Sequence, residues 1–390
     1  MSLKFVHEYR DGSLAKQLIA AIHGVKGAWM EGEPLKVESL PDNPKDHVQK
    51  PVRKKRRLRL MEVCGTHTMS IFRHGIPSVL PRGIELLSGP GCPVCVTAQQ
   101  DIDAFVELAL QKNVIVTTFG DLMRVPGRSS SLQQEKAGGR EVRIVYSVFD
   151  ALKTAQQNPD REIVFCAVGF ETTIPTVAAA ILMADEQQIE NFSIHCAHKI
   201  TPPALAALME TPEVSIDGFL LPGHVSVITG TDGYKEVFQR YQVPSVIAGF
   251  EPVDILRGIY MLVLQNHSGY PLLENAYERA VSKEGNPKAR QMMAQVFDTV
   301  DAVWRGIGTI PLSGMVLKEK YIHFDALKKF DISPVETPEP AGCACGEILM
   351  GLKTPLQCAL YGKKCTPVHP VGPCMVSSEG ACAAHYKYMV

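Results

Sequence analysis

The sequence predicts an α/β protein built from two linked, doubly wound (Rossmann-like) parallel-sheet domains facing a cleft, with a smaller loop-rich domain at the C-terminal end. Three observations carry that expectation. Short, unbroken apolar runs alternate with helix-like stretches from Leu58 to Ala248, the pattern of strands buried on both faces by crossover helices. The number of such units exceeds what one doubly wound sheet holds, and 390 residues are too many for one ordinary domain. Six of the eleven cysteines crowd into the segment after Gly342, where the alternation has ended.

Taken in order, an N-terminal helix is expected over about Ala15–Trp29. A polar stretch, Glu31–Pro51, and a basic run, Arg53–Arg57, follow. No aromatic residues interleave with the basic run and no second basic patch follows it, so it reads as a solvated lead-in to a strand rather than a nucleic-acid contact. Strands are expected at Leu58–Val63, Ile84–Leu87, Val114–Phe119, Val142–Val148, Ile163–Val168, Ser193–Cys196, Gly218–Leu221 and Ser245–Ala248. Helices are expected at Asp101–Leu110, Asp150–Gln157, Pro175–Glu186, Pro203–Glu210 and Tyr234–Tyr241. A break near Ser147–Ala151 separates a first α/β domain, 58–148, from a second, 149–270. Residues 1–57 form a helix and insertion, and 271–390 a helical and loop-rich domain. Within 271–390, helical stretches at Leu272–Ser282 and Lys288–Val303 precede a β-like region around Gly306–Val316 and a Pro- and Glu-rich linker, Asp331–Pro340.

Composition excludes several classes. With 40 basic and 41 acidic residues the formal net charge is −1, so no global field favours nucleic acid or an acidic membrane. The start shows no signal-peptide pattern, and no apolar run reaches the ~18 residues of a membrane helix. The expectation is a cytoplasmic chain without membrane insertion, where thiols stay reduced and clustered cysteines serve metal or redox chemistry. No Gly-x-Gly-x-x-Gly, Gly-x-x-x-x-Gly-Lys-Ser/Thr or Gly-x-Ser-x-Gly motif occurs.

The C-terminal cysteines supply the first constellation. Cys345, Cys358, Cys365 and Cys382 provide four thiolates at wide, uneven spacing on a backbone rich in Gly and Pro. That suits a [4Fe–4S] cluster, and makes this segment an iron–sulfur domain. Structural zinc usually draws on short Cys-x2–4-Cys knuckles, which are missing from this segment, and a disulfide framework suits other compartments. Cys343 and Cys374 are left over, as loop thiols or as a redox dithiol beside the cluster. Near the front, Cys64-Gly-Thr-His67 and Gly89-Pro-Gly-Cys92-Pro-Val-Cys95 each follow a strand. A thiolate and imidazole two residues apart can ligate a metal or act as nucleophile and base, and Cys-x-x-Cys at a helix start is a frequent redox or metal site. Cys166 and Cys196 lie in apolar runs and read as buried and inert.

A quasi-repeat, Ala167-Val-Gly-Phe-Glu-Thr-Thr and Ile247-Ala-Gly-Phe-Glu-Pro-Val with an echo at Thr118-Phe-Gly-Asp-Leu, sets Glu171, Glu251 and Asp121 just beyond strand C-termini. There they either face ligand crevices or merely favour helix N-termini. His198 and His224 sit at further strand ends, as cleft groups or as satisfied loop residues.

The ordered set Cys64-Gly-Thr-His-Thr, Gly89-Pro-Gly-Cys-Pro-Val-Cys95, Thr118-Phe-Gly-Asp-Leu-Met-Arg-Val-Pro-Gly127, Gly169-Phe-Glu-Thr-Thr173, Pro222-Gly-His-Val-Ser226, Gly249-Phe-Glu-Pro252 and Met375-Val-Ser-Ser-Glu-Gly-Ala-Cys382 resembles the HypD family of hydrogenase maturation factors. The likeness spans about Phe5 to the C-terminus, apart from roughly Glu31–Arg57. The resemblance implies an iron–sulfur scaffold on which the Fe(CN)2CO group of [NiFe] hydrogenases is built, with a HypC-type chaperone and cyanide from a HypE-type partner. It implies that Cys64, Cys92 and Cys95, with His67 beside them, line an iron-binding cleft. It also implies cluster ligation by Cys345, Cys358, Cys365 and Cys382, with Cys343 able to replace Cys345. Two rivals stand beside it: a cluster-dependent thiol–disulfide oxidoreductase using Cys92/Cys95, and a zinc-stabilised binding module.

Overall fold

The computed structural model describes residues 9–31 and 57–389. The basic run lies outside them apart from Arg57. In chain order the strands are β1 (Leu58–Glu62), β2 (Ile84–Ser88), β3 (Val114–Thr118), β4 (Val142–Ile144), β5 (Glu162–Ala167), β6 (Phe192–Cys196), β7 (Gly218–Pro222), β8 (Ser245–Ala248) and β9 (Leu273–Asn275). A hairpin, β10 (Phe297–Trp304) and β11 (Gly308–Leu317), follows. Two parallel sheets result, one ordered β2-β1-β7-β8-β9 and the other β4-β3-β5-β6. Every residue of β3, β7 and β8 is buried, as expected of strands covered by helices on both faces. The α/β fold class read from the periodicity is the observed one.

The strands are shared between the sheets differently from the sequence expectation. The chain lays down β1 and β2, leaves to build all of β3–β6, and returns to complete the first sheet with β7–β9. The register Leu60↔Gly218, Met61↔Phe219, Glu62↔Leu220 joins β1 to β7 across a separation that no local pattern encodes. The apparent break near Ser147–Ala151 is a helix start. Ser147 accepts from the Phe149 N–H, and Asp150 accepts from the Ser147 N–H, a capping box at the head of helix Val148–Gln157.

Two further differences lie after Gly269. Leu272–Ser282 is not helical but carries β9. The helix expected over Lys288–Val303 runs Pro287–Val296 and stops, because β-branched Thr299, Val300 and Val303 suit the antiparallel pairing of β10 with β11 better than a helix.

The N-terminal helix, Gly12–Glu31, packs through Leu18, Ile22 and Val25 into the core of the first sheet, next to helix Pro252–Ser268. Among the described residues no helix is long and apolar enough to cross a membrane.

Sheet order fixes where a site can form. In each sheet the winding reverses between two neighbouring strands, β1 and β7 in one and β3 and β5 in the other. Crevices open beyond the C-terminal ends at such points. Cys64 and His224 follow β1 and β7, and Asp121 and Glu171 follow β3 and β5.

Candidate functional site

Cys64 caps helix Gly65–Arg73 in extended conformation, φ −152° and ψ 125°. Its amide donates to Glu62 Oε2 at 3.0 Å, and the Thr68 hydroxyl holds the other carboxyl oxygen. The second front motif lies directly on this turn. The Gly65 N–H donates to Gly91 O at 2.9 Å, and a Cβ on Gly91 would fall closer than 3.0 Å to the backbone of Val63 and Cys64. The glycine in Gly-Pro-Gly-Cys is what lets the two cysteine motifs touch. Cys92 and Cys95 are joined as a disulfide, and the Cys95 N–H donates to Cys92 Sγ at 3.3 Å.

Burial dominates the electrostatics. It pushes the Cys64 thiol up to about 12, with Glu379 the next contributor. It also raises the Glu62 carboxyl to about 8. Cys64 is thus a neutral thiol until a cation arrives to favour its thiolate. Burial lowers His67 to about 4, so the ring is neutral. Its Nε2–H donates to Gly249 O at 2.8 Å, which leaves Nδ1 a buried lone pair with no partner. Phe250 lies between His67 and His224, with ring centroids 4.7 Å and 3.8 Å away.

The C-terminal segment closes the crevice. Asp121 Oδ2 accepts from the Ser377 hydroxyl at 2.8 Å. Arg124 donates to Pro367 O and Val376 O at 3.1 and 3.2 Å. Glu379 Oε1 accepts from Thr66 Oγ1 at 2.6 Å. Sequence reasoning does not single out Glu62 or Glu379. The signals it offers are an acid ending an apolar strand and an acid in the Ser-Ser-Glu-Gly run before Cys382.

Three expected cleft groups are engaged in other contacts. Glu171 accepts from the Thr201 amide and hydroxyl at 2.8 and 2.9 Å, serving the start of helix Thr201–Glu210. Burial raises it to about 7. Glu251 caps helix Pro252–Ser268 and is bound by Arg10 through two hydrogen bonds. His198 is buried with Nδ1 3.3 Å from Cys196 Sγ and an edge contact to Phe297. For Glu171 and Glu251, helix capping describes the observed role.

All six C-terminal cysteines line one cavity, with Ile348, Leu360, Tyr361 and Met375 completing its wall. Their pairing differs from the sequence expectation. Cys374 is joined to Cys345, with Cα atoms 6.4 Å apart, and not matched with Cys343. Cys345 opens a short helix that presents it to Cys374, whereas Cys343 lies against Gly372, where a Cβ would come 2.7 Å from its sulfur. Four thiols remain free around the cavity: Cys343, Cys358, Cys365 and Cys382. The Val371 N–H donates to Cys365 Sγ at 3.3 Å. Among the described residues no three His, Cys, Asp or Glu converge on a single metal ion. Four thiols spread round an apolar cavity, with an amide aimed at one sulfur, suit a cluster bound at its corners better than one tetrahedral ion.

Cavity and cleft adjoin. Helix Ala381–Tyr388, which includes Cys382, packs on helix Gly65–Arg73, which follows Cys64, with Phe72 edge-on to His385 at 5.6 Å.

Comparison with known proteins agrees with the sequence resemblance. Residues 42–389 match the HypD family model, described as the hydrogenase formation hypA family. The chain is 43% identical over 394 residues to hydrogenase maturation factor HypD of Cupriavidus necator, covering 99% of this chain and 97% of that one. It is 48% identical over 334 residues to hydrogenase maturation factor HypD of Escherichia coli (strain K12), covering 85% and 90%. Hydrogenase expression/formation protein HupD of Azotobacter chroococcum is similar at 43% over 393 residues, covering 99% and 97%. The chain belongs to the HypD family of hydrogenase maturation factors.

Proposed function

We propose that this chain acts in hydrogenase maturation as a redox-active scaffold in whose cleft the Fe(CN)2CO group of [NiFe] hydrogenase is assembled. A HypC-type chaperone and a HypE-type cyanide donor work with it in the cytoplasm. The observation that carries the reading is the short path between two thiol centres: the backbone from Cys374 to Glu379 runs from the cysteine cavity to the turn at Cys64.

Iron is the cargo of this site. Cys64, together with Cys92 and Cys95 once their disulfide is reduced, offers soft sulfur donors of the kind low-spin iron favours. His67 adds a neutral nitrogen lone pair. Burial excludes water, and Glu379, the carboxylate whose charge acts most on Cys64, is placed to take up the proton that a thiol releases on binding iron. Releasing cyanide from a protein thiocyanate breaks a sulfur–carbon bond and consumes two electrons and a proton, yielding thiol and cyanide. A [4Fe–4S] cluster held by Cys358, Cys365, Cys382 and the fourth free thiol, Cys343, would supply electrons singly. The rival thiol–disulfide oxidoreductase needs a protein disulfide to reach Cys92 and Cys95, which are 3% and 0% exposed. That burial weighs against it.

The test is infrared spectroscopy of the chain co-expressed with its maturation partners and purified without oxygen. Metal-bound cyanide and carbonyl bands are expected in the wild type and lost in Cys64→Ala. Cys358→Ala and Cys365→Ala are expected to lose cluster iron and sulfide. Bands undiminished in Cys64→Ala would sink the cleft assignment, and full cluster content in both other variants would sink the ligand assignment.

A further inference from the structure

Between the two thiol centres sits a buried cation with no assigned role. Arg305, 1% exposed, lies in the β10–β11 turn. The turn is gripped from both sides. On the cleft side the Arg305 N–H donates to Val96 O at 2.9 Å, Nε donates to Thr97 O at 2.9 Å, and Nη2 donates to Gln99 Oε1 at 2.8 Å. These partners directly follow Cys95. On the cavity side Gly306 lies so close to Gly346 that neither position has room for a Cβ, and Gly346 follows Cys345. The remaining nitrogen, Nη1, is buried without a hydrogen-bond partner. It faces Glu339 Oε2 at 3.6 Å, beyond hydrogen-bond reach. Glu339 leads into the cysteine segment, where the Cys343 N–H donates to Pro340 O at 3.1 Å, and Asp103 and Asp101 are further acids whose charge acts on Arg305. Asp101 has its own buried partners, Lys199 at 3.7 Å and His195 at 3.3 Å.

The geometry points to Arg305 as the positioning residue that sets the reduction potential of the group held by the C-terminal cysteines, with Glu339 as its counterweight. This rests on the cluster reading above. A cluster gains negative charge on reduction, and its potential follows the local charge. A buried guanidinium in a turn packed on the residue after Cys345 stabilises the reduced state and raises the potential, while a carboxylate on the same side lowers it. The low dielectric around the buried Arg305 keeps its effect strong, and the more exposed Glu339 acts with a smaller one. The two residues therefore act with opposite sign, which a merely structural contact would not.

The measurement is an EPR-monitored redox titration of the full chain, purified without oxygen, alongside its iron and sulfide content. Arg305→Met is expected to make the cluster at least tenfold harder to reduce at a given potential, about 59 mV lower for a one-electron couple. Arg305→Lys keeps the charge and is expected to stay near the wild type. Glu339→Gln, at a residue 40% exposed in its side chain and so expected to fold normally, should move the midpoint the other way. If Arg305→Met does not fold or load iron, Glu339→Gln and Arg305→Lys decide the matter. Midpoints unchanged in Glu339→Gln, or shifted the same way in Arg305→Met and Glu339→Gln, overturn the assignment. A wild-type chain with no cluster iron and sulfide would instead overturn the cluster reading, and this inference with it.

Discussion

The close approach of Gly91 to Cys64 makes Gly91→Ala a sharp probe of the cleft. A Cβ at this position meets Cys64 N, Val63 C and Cys64 Cα closer than 3.0 Å, against ordinary contacts of about 3.5–4.0 Å. All three are backbone atoms at the end of a buried strand, so no flexible side chain can yield. Relief requires the Gly89–Cys92 loop to move by roughly 1 Å, straining the Gly65 N–H to Gly91 O bond. Overpacking of this kind costs about 1–3 kcal/mol. For domains of 150–250 residues that lowers Tm by roughly 2–4 °C per kcal/mol. The larger effect is on the site, because Cys92 and Cys95 ride on the displaced loop, and about 1 Å of misplacement can cost 10²-fold in activity. Calorimetry and the infrared bands of the co-expressed chain read the two effects separately. Gly24→Ala is the control. It lies within helix Gly12–Glu31 with no atom inside 4 Å of its Cβ, and is expected to stabilise by about 0.4–1 kcal/mol with no change in the bands. A Gly91→Ala chain with unchanged Tm and full bands would refute the argument that this contact fixes the two cysteine motifs together.

Two further outcomes are expected. Burial holds Glu62 protonated to about 8, against an ordinary value of 4.5. Its contribution to stability is therefore complete below the ordinary value and is lost as pH rises toward 8. Between pH 7 and 8, above the ordinary histidine value of about 6.5, Glu62→Gln should show a flatter fall in Tm than the wild type, and identical slopes would contradict the assignment. Arg279 donates to Asp254 Oδ1 at 2.7 Å and stacks on Tyr9 and Tyr277, 3.5 and 4.4 Å from the ring centroids. The Asp254 side chain is only 1% exposed. Arg279→Met leaves a buried carboxylate unpaired and should cost about 3–5 kcal/mol in chemical denaturation, and a loss below 1 kcal/mol would count against it.

Local pattern determined much of this protein. Strands such as Val114–Thr118 and Ser245–Ala248 are short apolar runs that only a doubly covered sheet accommodates. Glycine and cysteine spacing by itself marks Cys64, Cys92 and Cys95. Sequence period reports which face of an element is buried. It does not report which distant strand lies beside it, so the return of β7 to β1 was decided only by tertiary packing. The same holds for the thiols. Six C-terminal cysteines are visible as a group, but the partnership of Cys345 with Cys374 depends on the backbone path between them. Glu379 reaches Thr66, and Arg305 reaches Thr97, only because the C-terminal segment and the β10–β11 turn fold back onto the residues that follow Cys64 and Cys95. Their placement rests on contacts hundreds of residues apart in sequence, which spacing along the chain does not encode.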